Sequence, residues 1–313
     1  MRPAIIFFLS VFLCCTADAS LQAARWEYVY RDHNDHSINC YLAYIPDGVI
    51  RGMVVRDFSS LPDTSVPARA RLHELALQHD LLTLYTVTSN LAPELYYNDS
   101  GPALLDEIIH EVVGRFHITA ENIFIGGLSA SGTRALRFAQ YCAEQKSNYK
   151  TKIAGVFIVD SPLDIERFYN SASTHRSTLK AGMLSEAAMV LDLFPTVLGG
   201  TPRDHAQAYR HASVYSYLDP AGGNAKSYAH LPIICFHEPD IDWWLKERGA
   251  DYFDMNSFDI AGFARSVRGY GNTDIEVLTT SGKGRDDEGR HNPHSWKIVD
   301  EPYLMEWIVR HLH

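Results

Sequence analysis

Ile123-Phe124-Ile125-Gly126-Gly127-Leu128-Ser129-Ala130-Ser131-Gly132 is the stretch whose reading decides the fold. Three apolar, β-prone residues run into a cluster of small ones, and helical spacing follows over residues 133–145. A strand therefore turns directly into a helix through a serine with small residues on either side. Such a turn holds the serine backbone in a strained conformation, and only small neighbours two residues before and after avoid a clash. It also points the serine Oγ off the sheet. The next amide is left at the helix N-terminus, where negative charge developing on an oxygen is stabilised.

Working outward, the spacing predicts strands over 26–30 and 38–45, separated by a turn at Asp32-His33-Asn34-Asp35. A second turn, Ile45-Pro46-Asp47-Gly48, leads to a short strand over 52–55. Helical spacing over 67–79 precedes a strand over 81–87. After the loop Tyr96-Tyr97-Asn98-Asp99 a helix opens with Ser100 as its expected N-cap, and Leu104/Leu105, Ile108/Ile109 and Val112/Val113 recur every four residues. Beyond the quoted stretch, residues 153–159 form a continuous apolar run, as a strand covered on both faces requires. Further strands are expected over 231–236 and 275–279, with helices over 257–268 and 302–312. This alternation from residue 52 onward predicts an α/β architecture with a mainly parallel sheet and helices on both faces. Residues 164–230 interrupt it. They are helix-rich and punctuated by Gly199-Gly200 and Gly222-Gly223, and read as an insertion over one end of the sheet.

Composition narrows the partners. The 313 residues are 46% hydrophobic and 12% aromatic, enough for a full core. Twenty-eight Lys and Arg against 38 Asp and Glu leave a net charge of −10, which argues against nucleic acid and anionic membrane surfaces. Residues 1–19 read as an export signal: Arg2, an apolar run over 4–15 broken only by Ser10, and Ala17-Asp18-Ala19 as the cleavage pattern. That run is too short to span a bilayer, which takes about 20 residues, so no stable membrane insertion is expected. The expectation is a mature chain from Ser20 that is periplasmic or secreted. A lipid anchor on Cys14 or Cys15 is disfavoured by the bulky Phe12 and Leu13. Processing leaves Cys40, Cys142 and Cys235, each in an apolar context that suits buried free thiols. The sequence has no spaced Cys/His pattern for zinc, and neither a metal nor a cofactor is expected.

Gly127-Leu128-Ser129-Ala130 resembles the nucleophile elbow of the α/β-hydrolase superfamily, G-x-S-x-G, with Ser131 in place of the last glycine. The resemblance implies an α/β-hydrolase fold over residues 20–313, with residues 164–230 as a helical lid. It also implies a Ser, acid, His order, with Ser129 as nucleophile. The acid is expected after a late strand, in His237-Glu238-Pro239-Asp240-Ile241-Asp242; Asp240 is preferred, with Asp242 and Glu238 as alternatives. The base is expected after the last strand. His294-Ser295-Trp296 resembles the His-x-Trp of esterase-like members, which favours His294 over His291. His291 and His294 could also form a metal pair, but no third ligand accompanies them.

The expected oxyanion donors are the amide of Ala130 and one from residues 57–60, with Phe58 as the candidate. Trp243 and Tyr97 are candidates to line the substrate pocket, although aromatics in such places often belong to the core. The order of elements resembles exported bacterial serine esterases of the esterase D, feruloyl esterase and polyester-depolymerase type. It implies a cofactor-free serine hydrolase acting on small-molecule or polymer-borne esters. A serine peptidase of the same fold and a binding protein without catalysis are the alternatives.

Overall fold

A computed structural model describes residues 25–65 and 70–313. The expected signal sequence lies outside them. Eight strands, β1 (Arg25–Tyr30), β2 (Cys40–Ile45), β3 (Gly52–Asp57), β4 (Leu81–Val87), β5 (Ile123–Leu128), β6 (Gly155–Val159), β7 (Ile233–His237) and β8 (Ile275–Thr279), form one sheet in the order β1-β2-β4-β3-β5-β6-β7-β8. The pairs β1/β2 and β2/β4 are antiparallel, and every pair from β4 to β8 is parallel. Strands β3, β4, β6 and β7 are buried along their whole length, which explains the unbroken apolar runs of β6 and of Ile233–Phe236 in β7.

Helices cover both faces. On one, α2 (Ser100–Phe116), α3 (Ala130–Ala143) and α8 (Asn256–Gly269) pack Leu105, Ile108, Leu136, Phe263 and Val267 against the sheet. On the other, α1 (Leu72–Leu77) and α9 (Glu301–Arg310) contribute Leu72, Leu304 and Ile308. Local differences from the sequence reading are small. Asp99 is the N-cap of α2 and Ser100 its first residue, because Asn98 Oδ1 accepts from the Ser100 amide at 2.9 Å and closes the preceding turn. Helix α3 begins at Ala130, ahead of its apolar periodicity, since the elbow itself starts it.

The insertion between β6 and β7 carries α4 (Ile165–His175), α5 (Ala181–Leu198) and α6 (Pro202–Ala212). Phe168, Val190, Phe194 and Tyr209 give these helices a core of their own, shared with Tyr97 and Trp244. Its base is held by charge. Arg167 on α4 grips the fully buried Asp259 on α8 in a bidentate pair, Nε to Oδ1 at 2.9 Å and Nη2 to Oδ2 at 2.5 Å. The same carboxylate accepts from the amides of Leu163 and Asp164, so the chain leaving β6 is fixed to α8. Among the described residues no single helix is long and apolar enough to cross a membrane.

Candidate active site

Parallel strands end on one edge of the sheet, and the helix-leading loops gather there. Ser129 stands at the end of β5 with φ 55° and ψ −128°, a conformation that a non-glycine residue holds only under constraint. The constraint is visible on all sides. The Ser129 amide donates to the Val159 carbonyl at 2.8 Å, and its own carbonyl accepts from the Gly132 amide at 3.0 Å. A Cβ on Gly126 would collide with the backbone oxygen of Phe157, and one on Gly127 with the side chain of Ser131. Ser131, in the place of the motif's last glycine, has work of its own: its Oγ donates to the Asp57 carbonyl at 2.5 Å and ties α3 to the end of β3.

Asp57 anchors that junction. Its buried carboxylate pairs with Arg134 on α3 at 3.0 Å and accepts from Thr86, Thr88 and Tyr96 at 2.7–2.8 Å. The elbow is therefore bolted to β3 and β4 through a buried polar network.

His294 faces the same cavity as Ser129. Its loop is held by Asn292 Oδ1, which accepts from the His294 amide at 3.2 Å, and by Ser295 Oγ, which donates to the Arg285 carbonyl at 2.5 Å. Trp296, two residues on, donates to Glu301 and lies under the Arg56 guanidinium, 3.9 Å from its ring centroid. Arg56 is buried and also lies 4.9 Å from the Phe58 ring centroid, so one side chain joins the loops after β3 and β8.

The carboxylate at His294 is Asp160. Nδ1 of His294 stands 2.6 Å from Asp160 Oδ2, and the carboxylate is almost entirely buried. Asp160 immediately follows β6, with φ 40°, its amide donating to the Phe236 carbonyl and its carbonyl accepting from Asn256. Burial works against the charged ring of His294, but the hydrogen bond and charge of Asp160, with the charge of Glu186, outweigh it and raise its pKa above the usual histidine value.

Asp240, the acid expected from the sequence, is not at His294. One of its oxygens caps the short helix α7 (Ile241–Trp243) by accepting from the Trp243 amide at 3.0 Å, and the other meets His291 Nε2 at 3.0 Å. Both oxygens are thus engaged in holding the loop after β7. Asp242 is exposed, and Glu238 is buried under Thr280 and the amides of Lys283 and Gly284. His291 and His294 are held by separate carboxylates, Asp240 and Asp160.

Of the expected oxyanion donors, the Ala130 amide opens α3 and has no intrahelical acceptor. The Phe58 amide does not serve, because it donates to the Thr86 carbonyl at 2.8 Å and extends the β3–β4 pairing. Nor do the expected pocket aromatics. Tyr97 is buried against Phe194, with its hydroxyl on the Pro93 carbonyl. Trp243 packs edge-on against Trp244 and under Arg248, and it is Trp244 that reaches the cavity. That cavity, of about 320 Å³, opens over Ser129 and His294 and is walled by Phe168, Met183, Glu186 and Met189 from the insertion.

No family model and no curated protein matches the sequence. Solved structures do match. Carboxyl esterase 2 from Tuber melanosporum is 11% identical with a TM-score of 0.57, over 94% of this chain and 90% of its own. Esterase B from Lactobacillus Rhamnosis is 13% identical with a TM-score of 0.55, over 92% and 84%. Acylaminoacyl peptidase from Pyrococcus horikoshii is 12% identical with a TM-score of 0.58, over 93% of this chain but only 42% of the peptidase. The chain has the α/β-hydrolase fold.

Within the α/β-hydrolase fold, the sequence reading missed one residue at the edge that carries Ser129 and His294, although its signal was present. Val159-Asp160-Ser161-Pro162 puts a carboxylate one residue past an apolar strand, the same cue that pointed to Asp240. Glu186 and Arg248 reach the cavity from distant segments and left no local signal. Among the described residues the three cysteines are free thiols, and burial pushes those of Cys40 and Cys235 up to about 11 and about 12, far from a reactive range.

Proposed function

We propose that this chain is an exported serine hydrolase that cleaves carboxylic esters through Ser129, His294 and Asp160. The observation that carries the reading is the 2.6 Å pair of His294 and Asp160 facing the cavity onto which the strained Ser129 opens. A hydroxyl is a poor nucleophile near neutral pH and needs a base. In the proposed cycle Nε2 of His294 takes the Ser129 proton as Oγ attacks the ester carbonyl. The oxyanion of the tetrahedral intermediate is stabilised by the Ala130 amide, a donor of a kind worth roughly 3–4 kcal/mol. Collapse breaks the bond to the leaving alkoxide, which takes the proton from His294. Water, deprotonated by the same ring, then releases the acid and restores Ser129. Asp160 holds Nδ1–H throughout and stabilises the transient imidazolium.

The insertion acts as the lid of the site and shapes its acyl pocket, as its five residues in the cavity wall support. Export through residues 1–19 belongs to the same proposal and rests on their sequence pattern. Labelling with a fluorophosphonate and hydrolysis of p-nitrophenyl esters test the whole: both are expected in the wild type and absent in Ser129→Ala. Equal labelling of the two proteins would make the chain a binding protein, and faster cleavage of peptide anilides than of esters would make it a peptidase.

A further inference from the structure

Besides Asp254, two charged side chains of the cavity wall have no part in the acyl transfer just described: Glu186 on α5 and Arg248, which follows α7 by five residues. Among the described residues neither side chain has a hydrogen bond or an ion pair. Their situations differ. The Arg248 guanidinium lies over the Trp243 ring, 5.0 Å from its centroid, and beside Gly182, so a π-face already meets its charge. Glu186 comes one helical turn after Gly182, on the same face of α5. No cation touches it.

The charges that reach Glu186 are those of His294, Asp160 and Arg167, and each is already engaged. His294 and Asp160 hold each other, and Arg167 grips Asp259. The remaining acid of the wall, Asp254, already has hydrogen-bond partners in Ser171, His175 and the Asp251 amide. Glu186 is thus a partly buried carboxylate, beside the catalytic histidine, without a hydrogen-bond donor. Such a group loses its water when a ligand fills the cavity, and a ligand that brings a positive charge to it offsets that loss.

Resting on the serine-hydrolase reading, we propose that Glu186 selects substrates carrying a cationic group, an ammonium in the simplest case, close to the scissile carbonyl. Because Glu186 and Ser129 face one cavity, the cation would sit within a few bonds of the reacting carbon. Amino-acyl esters have that form. The acyl transfer itself is unchanged, and the carboxylate acts by binding and orienting.

The test compares three methyl esters of similar length at about pH 7, followed by titration of the acid released: pentanoate, 2-aminopentanoate and the monoester of glutaric acid. The wild type is expected to favour the aminopentanoate over the pentanoate in kcat/KM by about tenfold or more. Glu186→Gln should abolish most of that ratio, and Glu186→Asp should keep part of it. A ratio near one in the wild type, or one unchanged in Glu186→Gln, overturns the proposal while pentanoate turnover leaves the hydrolase reading standing. Preference for the glutarate, lost in Arg248→Met, overturns it in favour of an anion at Arg248. No turnover of any ester, together with no fluorophosphonate labelling of Ser129, removes both readings.

Discussion

Asp160→Asn is the substitution on which the proposed chemistry stands or falls. The side chain keeps its size, and its backbone, at φ 40°, is in a region asparagine adopts readily, so the fold is expected to survive. What changes is the 2.6 Å contact with His294 Nδ1. An amide turned to present its N–H makes Nδ1 an acceptor and puts the ring proton on Nε2, where it blocks transfer from Ser129. Turned the other way it offers an uncharged oxygen that stabilises the imidazolium far less. Loss of the acid's role in a serine triad lowers kcat by about 10⁴, or about 5.4 kcal/mol at 1.36 kcal/mol per decade. Asp240→Asn disturbs only the cap of α7 and the contact with His291, a stability change of about 0.5–2 kcal/mol with kcat little altered. Initial rates on a neutral p-nitrophenyl ester, with thermal melts to confirm folding, separate the two. Activity retained within about tenfold in Asp160→Asn, with Asp240→Asn inactive, would refute the assignment and restore the acid to the loop after β7.

Four further outcomes follow from particular contacts. The acid limb of kcat/KM should lie above the ordinary histidine value of 6.5, because His294 must be neutral to act as base and Asp160 favours its charged form. Asp160→Asn should move that limb to lower pH, and a limb that stays in place would exclude Asp160 as its cause. Gly126→Ala drives a methyl into the Phe157 backbone between β5 and β6 and should destabilise by roughly 3 kcal/mol or more; a melt like the wild type's would show that the strands can part there. Arg56→Met removes the stack on Trp296 and should lower kcat by about tenfold with little change in KM, without rescue by Arg56→Lys, whose ammonium lacks the planar face; an unchanged kcat would show that the His294 loop holds itself. Asp259→Asn leaves Arg167 buried without its counter-charge and should cost about 3–5 kcal/mol, seen in denaturant unfolding; a change under about 1 kcal/mol would mean that the insertion does not depend on this pair.

Much of this architecture is legible in the sequence because it rests on local pattern. The apolar run of β6 is continuous since both sheet faces are covered, and Gly127 must be small because Ser131, four residues on, lies against it. The same holds for His294, whose loop is anchored by its own neighbours Asn292 and Ser295. Trp243 and Tyr97 failed as pocket residues for a different reason. An aromatic beside a loop has the same local pattern whether it faces a cavity or Phe194, and the difference depends on where α5 lands.

The acid shows where local pattern stops being sufficient. Strands β6 and β7 are adjacent and parallel, so Asp160 and Asp240 leave the same edge of the sheet from neighbouring positions. Order along the chain cannot separate them, since both fall between Ser129 and His294. What separates them is how their oxygens are used. Asp240 has an amide and a second histidine within 3.0 Å, whereas Asp160 gives only its backbone to the surrounding fold and keeps a buried carboxylate for His294. A triad acid must be buried against the ring that serves the nucleophile, where it holds Nδ1–H and stabilises the imidazolium. On that criterion the proposed acid is the carboxylate on the histidine that shares the cavity with Ser129, and it is Asp160 whose replacement should silence Ser129.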